Sequence, residues 1–228
     1  MSGHSKWATI KHKKGAADKA RAKVFNKIAR QLEVAAREGG GDPSTNAPLR
    51  TVILKAKAAQ RTNGASDRAV KRGAGVTDGG TYESITYEGY APGGVAMLVD
   101  VLTDNRNRSG SDVRSVFTKR GGSVAEPGAV AWQFDRKGTM LVDGAVAEDD
   151  LMLAAIDAGA EDITREGDYW RVTTGPTDLH AVRTAVEEAG YKVEESDLTM
   201  VAQNLVTLDD KSAAKKVLDL VDALDDLD

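Results

Sequence analysis

SDRAVKRGAGVTDGGTYESITYEGYAPGGVAMLVDVL, residues 66–102, changes its hydrophobic period partway along. Up to Gly73 the pattern is helical: Ser66 or Asp67 is placed to cap a short helix carrying Arg68, Lys71 and Arg72, and Gly73 ends it. After Thr77-Asp78-Gly79-Gly80 the period drops to about 2, with Tyr82, Ser84, Thr86 and Glu88 alternating with Glu83, Ile85 and Tyr87. Glu88-Gly89-Tyr90-Ala91-Pro92-Gly93-Gly94 then turns the chain into Val95–Leu102, apolar enough to be a central strand. A hinge therefore divides a helical region from a region built of strands and helices.

Working back from the hinge, Ala16 to Glu38 reads as a helix closed by three glycines. Val24, Phe25, Ile28, Leu32 and Ala35 fall on one side of it, and Lys19, Lys23, Lys27, Arg30 and Arg37 on the other. Asn46-Ala47-Pro48 opens a second helix in which Leu49, Val52, Ile53 and Ala56 pack, while Arg50, Lys55, Lys57 and Arg61 face solvent or a partner. Three short helices sharing a small core make a first domain over residues 1–76.

Working forward, Ser109–Lys119 reads as a helix and Val130–Phe134 as a strand. Gly138–Val142 (strand), Asp149–Ala158 (helix), Asp162–Arg165 and Tyr169–Thr173 (a strand pair), Asp178–Ala189 (helix) and a strand within Lys192–Met200 follow. That β-α-β-β-α-β order is ferredoxin-like. Leu205–Leu208 suggests one more strand, and Ala213–Leu227 is an amphipathic helix that needs a sheet to cover. The incomplete unit over 81–134 supplies one, so residues 81–134 and 203–228 are expected to form a discontinuous domain into which 135–202 is inserted. The fold class is α/β (α+β): an N-terminal three-helix domain followed by two α/β domains, the last ferredoxin-like.

Charge is distributed as unevenly as period. Residues 1–75 hold 17 of the 31 Lys and Arg and only 5 of the 35 Asp and Glu, a formal +12, whereas the rest of the chain carries −16. One part is suited to phosphate and another to staying soluble. The chain has no Cys, which excludes disulfides, thiolate metal sites and cysteine nucleophiles. Nothing approaches the length of an apolar membrane span, and the basic start lacks a signal-peptide core, so the expected setting is the cytoplasm.

The basic block is the strongest functional signal. Lys6, Lys11, Lys13, Lys14, Lys19, Lys23 and Lys27 offer point charges, and Arg21, Arg30, Arg68 and Arg72 add forked donors for phosphate; Lys55 and Lys71 extend the set. The bland alternative is a solvated charged face; another is a different acidic partner. The size of the imbalance and the shared helical side favour nucleic acid. DNA and RNA stay open, since phosphate contact carries no sequence code, and few Asn, Gln or Ser accompany the cations as base readers. Trp7 could stack on a base or anchor the tail. His4 and His12 lack partners for a metal set and suit phosphate contact or folding of the tail, while His180 reads as structural.

Thr103-Asp104-Asn105-Arg106-Asn107-Arg108-Ser109-Gly110 connects a strand to a helix. Asn and Asp suit the turn, and Ser109 or Ser111 the cap, so loop architecture alone accounts for it. The sharper reading projects Arg106, Asn107 and Arg108 toward nucleic acid or a protein partner, and Tyr90, in the separate Glu88–Gly94 turn whose glycines have a steric explanation, could be a further exposed contact. No phosphate-binding loop, dinucleotide fingerprint, HExxH or nucleophile elbow is present. A hydrolase or nuclease would have to be built from Asp100, Asp104 and Asp112. The expectation is a protein that is not an enzyme and needs no cofactor or metal.

Gly3-His4-Ser5-Lys6-Trp7 with Ile10-Lys11-His12-Lys13-Lys14, then Tyr87–Val95, then Leu102–Arg108, resembles the YebC/PmpR family, which includes the mitochondrial translational activator of cytochrome c oxidase subunit I. The likeness runs over essentially the whole chain. It implies three domains, the middle one completed by the C-terminus. It also implies either DNA binding in transcription regulation or action on ribosomal RNA to relieve stalling, particularly on proline-rich stretches, with ribosomal or transcription proteins as further partners. The family's basic start maps onto His4, Lys6, Trp7, Lys11, His12, Lys13 and Lys14, and its loop signature onto Asp104, Asn105, Arg106, Asn107 and Arg108. Where family members often carry Met-Pro, this chain has Arg61-Thr62-Asn63-Gly64-Ala65-Ser66, which alters the turn before the third helix.

Overall fold

A computed structural model describes residues 17–77 and 82–227. Its elements are α1 (Ala17–Gly39), α2 (Ala47–Ala58), α3 (Asn63–Gly73), β1 (Glu83–Ala91), β2 (Val95–Thr103), α4 (Arg106–Lys119) and β3 (Ser123–Ala125). After these come a 3-10 turn (Ala131–Gln133), β4 (Phe134–Asp143), α5 (Glu148–Ala155), β5 (Ala160–Glu166), β6 (Tyr169–Thr174), α6 (Leu179–Glu188), β7 (Val193–Ala202) and α7 (Lys211–Asp225). The chain is an α/β protein with a helical region first and two sheets after it. Its described residues form two compact units, one from residues 24–77 and 136–201, the other from 82–135 and 202–227 with the start of α1.

In the first unit the three helices bury Ile28, Leu32, Ala35, Ala36, Leu49, Ala56 and Ala69, a core of aliphatic stripes facing one another. Asn46 fixes the α1–α2 corner. Its Oδ1 accepts from the Leu49 N–H (3.0 Å), and its Nδ2 donates to the carbonyls of Ala35 and Gly40 at 2.8 Å each. Pro48 sits in the first turn, where its missing N–H costs nothing. Gly73 lets α3 lie against α1: a Cβ there would stand 2.1 Å from the Glu33 carbonyl oxygen. Between α2 and α3 the chain turns through Gln60 at φ 60°, with the Arg61 N–H donating to the Ala56 carbonyl (2.9 Å), a left-handed helix end usually given to glycine.

The same unit contains the sheet β5-β6-β4-β7, the strand order of a ferredoxin-like unit. Met140, Val142, Trp170 and Val172 face Leu151, Ala155, Leu179, Val182 and Val186 of α5 and α6.

In the second unit β1 pairs along its whole length with β2 and, at residues 88–90, with β3. Phe117, Val113 and Ala91 close on Leu220 of α7, with Val95, Met97, Val99 and Val101 packed beside them. The last helix thus covers the sheet begun by residues 83–103.

Several local expectations change. The third helix starts at Asn63 with Thr62 preceding it, so Ser66 is a buried helical residue whose hydroxyl donates to the Thr62 carbonyl (3.3 Å) and neither it nor Asp67 is a cap. Val130–Phe134 is not a strand. Buried Glu88 accepts the N–H groups of Gly128 (2.5 Å), Val130 (2.7 Å) and Ala131 (2.8 Å), which winds that stretch into a turn, and β4 starts only at Phe134. Leu205–Leu208 forms no strand either; Leu205 and Val206 are exposed with no neighbouring strand to pair them. Residues 106–110 are not loop but the first turn of α4.

Candidate nucleic-acid interface

Residues 1–75 carry 17 Lys and Arg, and the structure sorts the described ones by what they touch. His4, Lys6, Trp7, Lys11, His12, Lys13 and Lys14 lie outside the described residues, as do the side chains of Lys19 and Arg21. Lys23 donates to the Asp226 carbonyl (3.1 Å) and stands 3.8 Å from its carboxylate. Lys27 and Arg30 are half-buried on α1, Arg37 is exposed, and each has interactions within the protein.

Four cations assigned to phosphate from sequence, or left to solvent or a partner, have internal work. Arg72 donates Nε (2.7 Å) and a terminal nitrogen to Glu33, whose side chain is 5% exposed. A buried carboxylate needs such a partner, and α1 and α3 are joined by it. Lys55 pairs with Asp197 of β7 at 2.5 Å. Arg61 lies over the Phe25 ring (6.0 Å) and donates to the Phe25 carbonyl at 2.8 Å. Arg50, expected to be available, donates to the carbonyls of Pro43 (3.0 Å) and Ser44 (3.3 Å).

Lys57, Arg68 and Lys71 differ. All three are exposed, and none forms an ion pair with another described residue. Arg68 and Lys71 are i,i+3 neighbours on α3. Arg68 also acts on Arg61: burial holds the Arg61 guanidinium below its ordinary pKa, and Arg72 and Arg68 push it in the same direction, opposed by Glu33. Positions near helix ends give Lys57 and Lys71 a modest structural reason to be basic. Arg68, mid-helix, has none. Among the described residues, Lys57 at the end of α2 and Arg68 and Lys71 on α3 are therefore cations that the fold does not pair.

At the start of α4 the loop signature proves largely architectural. Asn105 accepts the Arg108 N–H (3.0 Å) as helix cap, and Thr103 Oγ1 accepts from the Asn105 N–H (2.9 Å) and the Ser109 hydroxyl (2.7 Å). Arg108 pairs with Asp104 at 2.7 Å and Arg106 with Glu83 at 3.0 Å, both largely exposed. Asn107 is exposed beside them and Tyr90 is half-buried. Asp104 is thus engaged with an arginine, while Asp100 accepts from Thr86 (2.7 Å). His180 is exposed near the start of α6.

Glu88 was not anticipated. Its three backbone donors hold the carboxyl below the usual range, outweighing burial. The Glu-Gly-Tyr-Ala-Pro-Gly-Gly motif singled out its neighbourhood, but the donors come from residues about forty positions away. Among the described residues no group of three or more His, Cys, Asp or Glu could hold a metal ion, and no helix is long and apolar enough to cross a membrane.

A cation-bearing helical region followed by two α/β sheets, the second ferredoxin-like, defines the class of protein. The family model described as TACO1/YebC protein N-terminal domain matches residues 5–76, and that of the TACO1/YebC second and third domain matches residues 82–228. The chain belongs to the YebC family. A Rubrobacter xylanophilus relative is 54% identical over 230 residues, covering 100% of this chain and 92% of its own. One from Citrifermentans bemidjiense is 51% identical over 228 residues with the same coverages. Both are named probable transcriptional regulatory proteins. The crystal structure of a conserved hypothetical protein, Aq1575, from Aquifex aeolicus superimposes with a TM-score of 0.87 at 42% identity, covering 98% of this chain and 92% of that one.

Proposed function

We propose that this protein is a non-enzymatic regulator of gene expression that binds nucleic acid by its phosphates, acting in the cytoplasm on ribosomal RNA to relieve stalled translation. The observation that carries the reading is the exposure of Lys57 on α2 and of Arg68 and Lys71 on α3, none of which forms an ion pair with another described residue. Exposed lysine and arginine on short helices suit recognition of shape and backbone, which is how folded RNA is bound. Lys27, Arg30, Arg106, Asn107 and Arg108 are secondary contacts, and Lys55 and Arg72 serve chiefly to hold the domain that presents the others. The N-terminal residues His4, Lys6, Trp7, Lys11, His12, Lys13 and Lys14, with Lys19 and Lys23, extend the basic surface in this proposal. The working division is a basic domain (1–76), a discontinuous α/β domain (81–134 with 203–228) and an inserted ferredoxin-like domain (135–202).

A second reading, DNA-binding transcriptional regulation, is favoured by the names of the relatives. Sedimentation of cell extract through sucrose at low and high salt, with and without RNase, separates the two. Ribosomal co-migration lost when Lys11, Lys13 and Lys14 are changed to Glu supports translation. Absence from ribosomes together with a preferred duplex in a binding selection supports transcription.

A further inference from the structure

Helix α5 turns Leu151 and Ala155 into the core, as an amphipathic helix should, yet its outer side is apolar as well. Leu153 is 77% exposed, Ile156 49% and Met152 38%, with Ile156 three and four residues beyond the other two and so on their side of the helix. These three, with Asp149 and Asp157, line an open groove of about 430 Å³. Glu148, Asp149, Asp150 and Asp157 are all exposed, and none forms an ion pair with a described residue. The first three complement the N-terminus of the helix dipole. Asp157 follows the C-terminal end, where a carboxylate is disfavoured, so the helix alone gives no reason for it.

We propose that this face docks a lysine- or arginine-rich segment of a partner protein whose apolar side chains enter the groove. Contiguous exposed apolar side chains with a charged rim mark interaction surfaces, and the sign of the rim selects the occupant. A second copy of the chain pairing symmetrically would set Asp149 and Asp157 against their own equivalents, like charge on like. Nucleic acid and anionic lipid are repelled by the same carboxylates. A basic segment with apolar anchors satisfies both parts of the surface.

The test uses the full-length protein and two labelled helical peptides of equal length and leucine spacing, one otherwise lysine and one otherwise glutamate, followed by fluorescence anisotropy. The lysine peptide should bind at least about tenfold more tightly than the glutamate peptide. Leu153→Ser with Ile156→Ser should weaken it by about tenfold or more, the loss expected when one or two anchors go. Asp149→Asn with Asp157→Asn should flatten its salt dependence. Both sites are exposed, and Leu153→Ser alone gives a milder variant should the pair misfold. Equal binding of the two peptides, or unchanged binding by the serine variants, would overturn the proposal. So would a dimer in sedimentation velocity that the serine variants dissolve, since it would assign the face to a second copy.

Discussion

Replacing Arg72 by alanine removes both guanidinium donors from Glu33 and leaves that carboxylate, 5% exposed, unpaired between α1 and α3. Breaking a buried pair on one side ordinarily costs several kcal/mol; with the Arg72 side chain 34% exposed, about 2–4 kcal/mol is expected. Arg68 stands four residues earlier on the same helix, exposed and forming no ion pair with a described residue, so Arg68→Ala should change stability by no more than about 0.5 kcal/mol. The two differ again in binding: loss of Arg68 should lower the slope of log affinity against log salt by about 1. Urea unfolding followed by circular dichroism measures the first quantity, and RNA titrations across a salt series the second. In the cycle with Glu33→Ala, the double variant should recover part of the loss from Arg72→Ala, because no buried charge is left behind. The reasoning fails if Arg68→Ala destabilises as much as Arg72→Ala, or if the double variant is no better than the sum of the singles.

Gln60→Gly should stabilise the protein by about 0.5–1 kcal/mol, read from the denaturation midpoint, because a left-handed residue sheds its side-chain penalty. Asn46→Ala removes a cap and the bonds to the Ala35 and Gly40 carbonyls, the first of them buried, and should cost about 2–4 kcal/mol in the same assay. Glu88 is held below its ordinary value of 4.5, so its stabilising effect is complete above that pH and is lost as pH falls through the lower folded value. Wild type should therefore lose stability on acidification below about pH 4.5 more steeply than Glu88→Gln, which should be the less stable of the two at pH 7; urea midpoints at pH 3–7 check both.

Much of the architecture was legible because the signals are local. Asn46 with Pro48 opens α2, period and length pick out the strands of the second sheet, and their order implied the ferredoxin-like arrangement that the sheet adopts. Starts of helices were less legible where two candidate caps compete. Thr62 precedes α3 without a side-chain bond, so Ser66 looked like the better cap, and Asn105 caps α4 ahead of Ser109. The apolar run at Val130–Phe134 looked like a strand because nothing nearby in sequence announces that Glu88 will gather its N–H groups. The same distance problem governs the candidate site. A helical wheel shows which cations share a side but not which meet an acid, and Arg72 finds Glu33 across 39 residues while Lys55 finds Asp197 across 142. Only the fold separates those from Lys57, Arg68 and Lys71.

Lys57→Glu, Arg68→Glu and Lys71→Glu combined, titrated with a structured RNA across a salt series, address the central claim that these cations of α2 and α3 hold phosphate. The account expects a folded variant whose log affinity falls with log salt by a slope about 2–3 smaller than wild type, with weaker binding at every salt concentration. A slope and affinity identical to wild type would contradict it.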